Sequence, residues 1–225
     1  MKTTKEFGTN LPRIIEVKKN DHKTVIFNKI SESTISLEEN STLILAGVVN
    51  KGEKNNQKIT FEFKGENASL KFLAFVIGEK DNSFNFETTA LHYPPKTKAS
   101  FSVISAMFDN SSVKYAGNII IEKDSEKTDS SLTHKTILLS ENATVETTPS
   151  LEIKTDDVSA GHSVSTGKPD EEMLYYLSSR GIDRKTATNL MVKGFLENAL
   201  KLVADATVRE ILAERIDTIL TNHLK

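Results

Sequence analysis

The chain has 225 residues, with 31 acidic and 29 basic side chains and a net charge of −2. This balance gives no general attraction for nucleic acid or anionic lipid, and the absence of cysteine excludes disulfides and cysteine-ligated metal sites within this chain. Residues 1–10 lack the apolar core of a signal peptide, and no apolar run reaches the ~20 residues of a membrane span. We therefore expect a cytoplasmic protein with no membrane or nucleic-acid partner.

A short motif recurs along the first two thirds of the chain: an acidic residue, an asparagine, two small residues and an aliphatic one. It occupies residues 39–43, 66–70, 109–113 and 141–145, with a weaker copy at 81–84. The asparagines are separated by 27, 15, 28 and 32 residues, which is one or two turns of a unit of about 14 residues, and such repetition is typical of a solenoid. The motif suits a tight turn, since asparagine tolerates the left-handed conformation.

Residues 14–164 alternate between apolar and polar positions, as in 58–63 and 84–87, and this period of two predicts short strands. The polar stretches 51–57 and 123–134 interrupt the pattern and are predicted to be loops. The phenylalanines of the predicted strands have strand spacing, which favours a core over a ligand-stacking surface: Phe61, Phe63, Phe72, Phe75, Phe84 and Phe86.

The pattern changes at 166–169, which divides the chain into a β-solenoid core (1–166) and a C-terminal helical domain (167–225). Acidic residues at 170–172 and Gly181 bound a first helix. Asp183 is a plausible N-cap of a second helix, and Asp205 or Thr207 begins a third. The third helix carries an apolar stripe that predicts either a helical cap on the solenoid or a docking face: Val208, Ile211, Leu212, Ile216, Ile219 and Leu220.

Candidate chemistry is sparse. None of the five histidines forms an HxH or HxxxH pair, so the sequence contains no local metal site. His162 by itself is typical of a rim histidine, and Asp156-Asp157 of a turn. Carbohydrate-active β-helix enzymes use clustered aspartate and arginine on one sheet face, and no such cluster is visible. The residues therefore predict a mainly β, non-enzymatic solenoid with a small α-helical domain.

An ordered series of motifs resembles the SufB/SufD family of the SUF iron–sulfur cluster assembly machinery. The most specific are Leu-Leu-Ser-Glu-Asn-Ala at 138–143, Pro-Ser-Leu-Glu-Ile at 149–153, Asp-Asp-Val at 156–158 and Leu-Tyr-Tyr-Leu-Ser-Ser-Arg-Gly-Ile at 174–182. Further matches lie at 92–97, 113–119, 126–129 and 193–195. The resemblance covers about the last 130 residues.

The resemblance implies a right-handed parallel β-helix that pairs SufB with SufD and C-terminal helices that bind the ATPase SufC. It also implies that a SufB cysteine and a SufD histidine near the pair's interface act on the nascent cluster. His162 corresponds to that histidine and Ala160 to the family cysteine. We therefore expect no stably bound cofactor, but a transient iron–sulfur cluster shared with a partner.

The missing cysteines and the Leu-Tyr-Tyr-Leu helix favour SufD over SufB. The family's N-terminal helical domain is not found before the first strands. Arg180, Gly181, Lys193 and Phe195 are the candidate SufC-docking residues, although each also has an ordinary structural explanation. The partner is either a SufB-like subunit or a second copy of this chain. The second possibility corresponds to a degenerate homodimeric scaffold that binds SufC without supporting cluster assembly.

Overall fold

The computed structural model describes residues 2–8, 10–53 and 55–224. In these residues all of the strands come before the helices in the sequence. The strands are Thr3–Phe7 (β1), Ile14–Val17 (β2), His22–Phe27 (β3), Ser33–Leu37 (β4), Thr42–Val49 (β5), Gln57–Phe63 (β6), Ser69–Gly78 (β7), Ser83–His92 (β8), Lys98–Met107 (β9), Ser112–Ile121 (β10), Asp129–Leu138 (β11), Thr144–Ile153 (β12) and Ser159–Gly167 (β13). The helices are Glu171–Ser179 (α1), Arg184–Leu200 (α2) and Ala206–Leu224 (α3).

Two parallel sheets form the body of the molecule, and successive strands alternate between them. The odd-numbered strands β1 to β13 form a seven-stranded sheet in chain order, and the even-numbered strands β2 to β12 form a six-stranded sheet. Paired strands run parallel throughout. A chain that changes sheet at each turn and adds one strand per coil to each sheet is a β-solenoid. The predicted parallel β-helix is therefore confirmed.

The coils lengthen along the chain. Contacts between equivalent turns of neighbouring coils join residues 20 apart at Asn20 and Asn40, but 32 apart at Asn110 and Asn142. Each coil contains two strands and two turns, so the predicted unit of about 14 residues is half a coil.

The repeated asparagines meet the left-handed prediction only in turns that lead into the seven-stranded sheet. Asn40 (φ 57°) and Asn67 (φ 59°) are left-handed and lie two residues before β5 and β7. The prediction is wrong for the other repeat asparagines: Asn82, Asn110 and Asn142. Before β8 and β10 the left-handed residue lies three positions ahead of the strand, at Lys80 and Asp109. The two sheets are therefore entered through different turns.

The asparagine side chains also connect coils, which the sequence motif did not predict. Each amide donates to the side-chain oxygen of the coil before it at 3.0–3.2 Å. The bonds run from Asn40 to Asn20, Asn67 to Asn40, Asn110 to Asp81 and Asn142 to Asn110. These ladders on the turns reinforce the register that the backbone pairing sets.

The inner core lies between the sheets and consists of stacked apolar side chains. Phe61 packs edge-on against Phe101 at a centroid distance of 5.3 Å, and Phe27 stacks on Phe72 at 6.0 Å. All six phenylalanines that the sequence assigned to a core are buried. Phe75 alone among them belongs to a second core outside the solenoid.

One predicted loop is wrong. The polar stretch 123–134 was expected at the surface, but β11 begins at Asp129. Its inward positions are Ser130, Leu132 and His134, and all three are buried. The strand forms because the two polar side chains find hydrogen-bond partners inside the solenoid, which hydrophobic patterning does not detect.

The predicted helix boundaries are confirmed. Asp170 caps α1 by accepting from the backbone of Glu172, and Gly181 (φ 85°) ends that helix. Asp183 accepts from the backbone of Thr186 at 3.0 Å at the start of α2, and Asp205 from Val208 at 3.2 Å at the start of α3. None of the helices within the described residues is long and apolar enough to cross a membrane.

The helices pack on the side of the solenoid and not on its end. The apolar stripe of α3, together with Val192 and Leu196 of α2, covers outward-facing residues of the seven-stranded sheet such as Phe75 and Ile104. This second core corrects the prediction of a cap on the solenoid end. It also means that the α3 stripe is already covered by the protein's own sheet.

Candidate functional site: the open end of the solenoid

The C-terminal end of the solenoid is an open edge in both sheets. Among the described strands, β12 pairs only with β10, and β13 pairs only with β11. One side of each terminal strand therefore presents backbone N–H and C=O groups that no described strand covers. Pro149 lies in the middle of β12 and has no N–H group, so β13 offers the more complete edge.

The interior of the last coil is partly exposed at this edge. Inward-facing Val145 and Leu151 of β12 and Ala160 of β13 are half-buried against the inner core. Ile153 and Val164 are each 43% exposed. An open edge lined with apolar side chains is typical of a surface that another chain covers.

His162 lies at this edge. It pairs in register with Leu132, which pairs in register with Phe101, and both of those side chains belong to the inner core. Ladder partners in parallel sheets point to the same face, so His162 ends this inward-facing column. Its side chain is exposed and makes no hydrogen bond or ion pair with a described residue.

The described residues around His162 do not form a complete metal site. The described residues include no group of three or more histidine, aspartate or glutamate side chains that could hold a metal ion. Asp156 and Asp157 form the bend before β13, which confirms the predicted turn, and the backbone oxygen of Asp157 accepts from Lys127. Ala160 lies two residues before His162 and also faces inward.

Two further histidines are buried inside the solenoid, and the sequence reasoning missed both. The ring nitrogens of His92 lie 2.8 Å from Thr97 Oγ1 and 3.2 Å from Ser130 Oγ, and its ring stacks on Phe63 at 4.3 Å. Alternation along β8 places His92 at an inward position. That alternation was the one signal that could have identified it.

His134 lies one coil below the open end. Its Nδ1 is 2.8 Å from Thr147 Oγ1 of the edge strand β12, and its Nε2 is 2.9 Å from Ser105 Oγ. Burial lowers the pKa of both His92 and His134 to about 4, because a charged imidazole would lose its hydration. Both rings are therefore neutral at physiological pH.

A second exposed surface lies on the helices. Tyr175 is 79% exposed, and Met173, Tyr176 and Leu190 are also exposed. The Arg180 guanidinium lies 5.3 Å from the centre of the Tyr176 ring. We call Met173, Tyr175, Tyr176 and Leu190 the aromatic patch. Arg180 and Gly181 adjoin it at the end of α1.

The other two candidate docking residues lie within α2 and contact different neighbours. Lys193 forms a salt bridge of 2.6 Å with Asp217 of α3. Phe195 is half-buried against the second core and lines a groove of about 1070 Å³. The floor of this groove includes Thr133 of β11 and Ser163 of β13. The structure thus brings Phe195 near the strand that carries His162.

A known protein family matches most of this chain. The family described as "SUF system FeS cluster assembly, SufBD core domain" matches residues 13–195. The chain belongs to this family. It is 31% identical over 150 residues to the iron-sulfur cluster assembly protein SufD of Bacillus subtilis, and 26% identical over 155 residues to SufD of Escherichia coli. It is 29% identical over 178 residues to SufB of Bacillus subtilis.

The matched segments cover more of this chain than of the relatives. They include 67% of this chain and 34% of the Bacillus SufD, 69% and 37% for the Escherichia SufD, and 76% and 37% for the Bacillus SufB. The chain thus spans about a third of the length of these relatives. Similarity to SufD confirms the predicted resemblance.

The buried histidines predict acid sensitivity. The unfolded chain takes up protons on histidine near pH 6.5, whereas folded His92 and His134 stay neutral down to about pH 4. The stability that the two neutral rings contribute is therefore fully present above pH 6.5 and is lost progressively as the pH is lowered toward 4. We expect each histidine to contribute a loss of about 2 kcal/mol between pH 7.5 and pH 5.

The test is urea unfolding of the wild type and of His134→Gln at both pH values. The variant should lose about 2 kcal/mol less free energy of unfolding than the wild type on going from pH 7.5 to pH 5. An equal loss in both proteins would show that His134 does not carry this pH dependence.

Proposed function

We propose that this chain is a SufD-like scaffold subunit of the SUF system. In this role its open solenoid end pairs with a SufB-like subunit, and its C-terminal helices dock a SufC-like ATPase. The observation that carries the proposal is His162, exposed on the unpaired edge of β13 in a SufBD-family chain. The relatives' names give the process as iron–sulfur cluster assembly.

Pairing at the open end is supported by backbone and side chains together. A partner strand alongside β13 would satisfy the unpaired N–H and C=O groups of β13 and cover Val164, and a second partner strand alongside β12 would cover Ile153. A partner with the same fold is favoured because its own last coil would present the same two-sheet edge. In such an interface the backbone hydrogen bonding of each sheet continues into the partner chain, whether its strands run parallel or antiparallel to β12 and β13.

The proposed role of His162 is to supply one ligand to a cluster in transit. A neutral imidazole can ligate iron, but a single side chain cannot hold a cluster. Ala160, the neighbouring inward residue, provides no thiolate. The remaining ligands would come from a SufB-like partner that contains cysteine, and the cluster is cargo and not a resident cofactor of this chain.

The aromatic patch is the proposed SufC-docking surface. Tyrosine, methionine and arginine are enriched in protein interfaces because they combine large apolar area with polar groups. Arg180 and Gly181 adjoin the patch. Lys193 and Phe195 would act through the orientation of α2, since one is tied to Asp217 and the other packs on the second core.

A degenerate homodimeric scaffold is the second candidate. It is favoured by one observation, which is that the position of the family cysteine holds Ala160. A second copy of this chain presents the same open edge, and that assembly would still dock SufC. Such a dimer would have histidine but no thiolate at its interface.

Val164→Lys tests the edge pairing. An inward-facing lysine at this position would bring an unpaired charge into the proposed interface, so we expect at least a tenfold loss of affinity for the SufB-like subunit of the same organism. Ser165→Lys is the matched control, since this residue is exposed on the opposite face of the same strand. Size-exclusion chromatography and calorimetric titration measure both variants. If Val164→Lys binds the partner as tightly as Ser165→Lys does, pairing at this edge is refuted.

His162→Ala separates assembly from chemistry. The variant should still form the complex, because an exposed side chain contributes little to folding, but reconstitution should yield at least tenfold less cluster. Iron, sulfide and the visible absorption of the cluster are the measurements. His22→Ala, in β3 near the opposite end, is the control. Wild-type yield from His162→Ala would remove the metal role and leave the scaffold role standing.

Tyr175→Ser tests the docking surface. We expect a loss of SufC affinity of at least tenfold, with thermal stability unchanged because the Tyr175 side chain is exposed. Tyr93→Ser provides a matched control, since Tyr93 is an exposed tyrosine on a turn of the solenoid. Binding is measured by calorimetric titration with the SufC-like ATPase of the same organism. A loss of affinity in the Tyr93 variant alone would relocate the docking surface to the solenoid.

A further inference from the structure

A cleft of about 520 Å³ lies between α3 and the first coils, at the opposite end of the molecule from His162. Phe7 of β1 and Ile26 of β3 form part of one side, and Arg215 and Asn222 of α3 form part of the other. None of the features discussed for cluster assembly uses this cleft.

Arg215 is half-buried in the cleft and has no acidic partner among the described residues. Its Nε donates to the backbone oxygen of Val48 at 3.1 Å, which fixes the plane of the guanidinium. The other four N–H groups of Arg215 have no acceptor in the described part of the chain. By contrast, Arg184 in α2 donates to both carboxylate oxygens of Glu171 at 2.7 and 2.9 Å.

Arg215 carries its charge without a counter-ion among the described residues. Burial lowers the pKa of Arg215, because the charged group loses hydration and no carboxylate compensates for that loss. Glu214 also lines the cleft, but it is exposed, and neighbouring residues on a helix do not face each other.

Three asparagine side chains line the same cleft: Asn28, Asn50 and Asn222. None of their side-chain amides makes a hydrogen bond to a residue that the structure describes. Each amide offers two N–H donors. The cleft therefore combines one guanidinium, held by its bond to Val48, with three side-chain amides that make no hydrogen bond to a described residue.

We propose that this cleft binds a small oxyanion, a phosphate or a carboxylate group, with Arg215 as its principal ligand. The guanidinium fork matches the paired oxygens of both groups, and the asparagine amides donate to the remaining oxygens. The bound anion would link α3 to the first coils of the solenoid. It would thereby stabilise the packing of the helical region on the seven-stranded sheet.

The experiment is a titration of the full chain with sodium phosphate and, separately, sodium acetate, at constant ionic strength maintained with sodium chloride. Calorimetric titration measures binding, and scanning calorimetry measures the Tm. We expect saturable one-to-one binding of at least one probe and a rise in Tm of about 3–5 °C at ten times the Kd. The tighter of the two probes identifies the natural ligand as phosphate-bearing or carboxylate-bearing.

Two variants make the test specific. Arg215→Gln should abolish the anion-induced rise in Tm, whatever it does to the starting Tm. Asn222→Asp leaves the Val48 bond intact and should weaken binding at least tenfold by placing a carboxylate at the cleft. Arg184→Gln and Asn55→Asp, at exposed residues that do not line the cleft, are the matched controls and should bind as the wild type does. Absence of saturable binding in the wild type, or wild-type binding by Arg215→Gln, would overturn the proposal.

Discussion

Parallel pairing between successive coils is the constraint on which the rest of this molecule depends. Each strand takes its hydrogen bonds from the coil before and the coil after, and each inward side chain is covered in the same way. The arrangement satisfies the middle coils and leaves the first and last described coils each with one unpaired side. Strands β12 and β13 are therefore an edge because of the architecture itself, and His162 is exposed because it lies on that edge.

The helices satisfy a different requirement. Outward residues of the seven-stranded sheet such as Phe75 and Ile104 are apolar, and α2 and α3 remove them from water. Helix α2 also borders the groove whose lining includes Ser163, so the helical region lies beside the strand that carries His162. In the proposed function, this proximity would allow a protein docked on the helices to affect the open end. The aromatic patch on α1 and α2 and the apolar edge on β13 are both exposed.

Much of this structure could be predicted from the sequence, because local signals and tertiary structure agree. The turn repeats identified the solenoid, and the aspartate caps and Gly181 identified the helix boundaries. The prediction of a loop at 123–134 failed because β11 buries Ser130 and His134 through hydrogen bonds, which an apolar pattern cannot show. The position of the helices also could not be predicted, since an apolar stripe on α3 does not specify which surface it covers. His162 became a candidate through family resemblance, and its exposure at an edge depended on knowing which described strand is last.

Hydrogen–deuterium exchange on the complex with a SufB-like subunit tests the central claim most directly. The account predicts that amides of β13, and fewer of β12 because of Pro149, exchange rapidly in the free chain and become protected in the complex. Amides of β8, in the middle of the six-stranded sheet, should show no change because they are already paired on both sides. A stable complex with unchanged exchange in β12 and β13 would contradict the account, since the partner would then bind elsewhere.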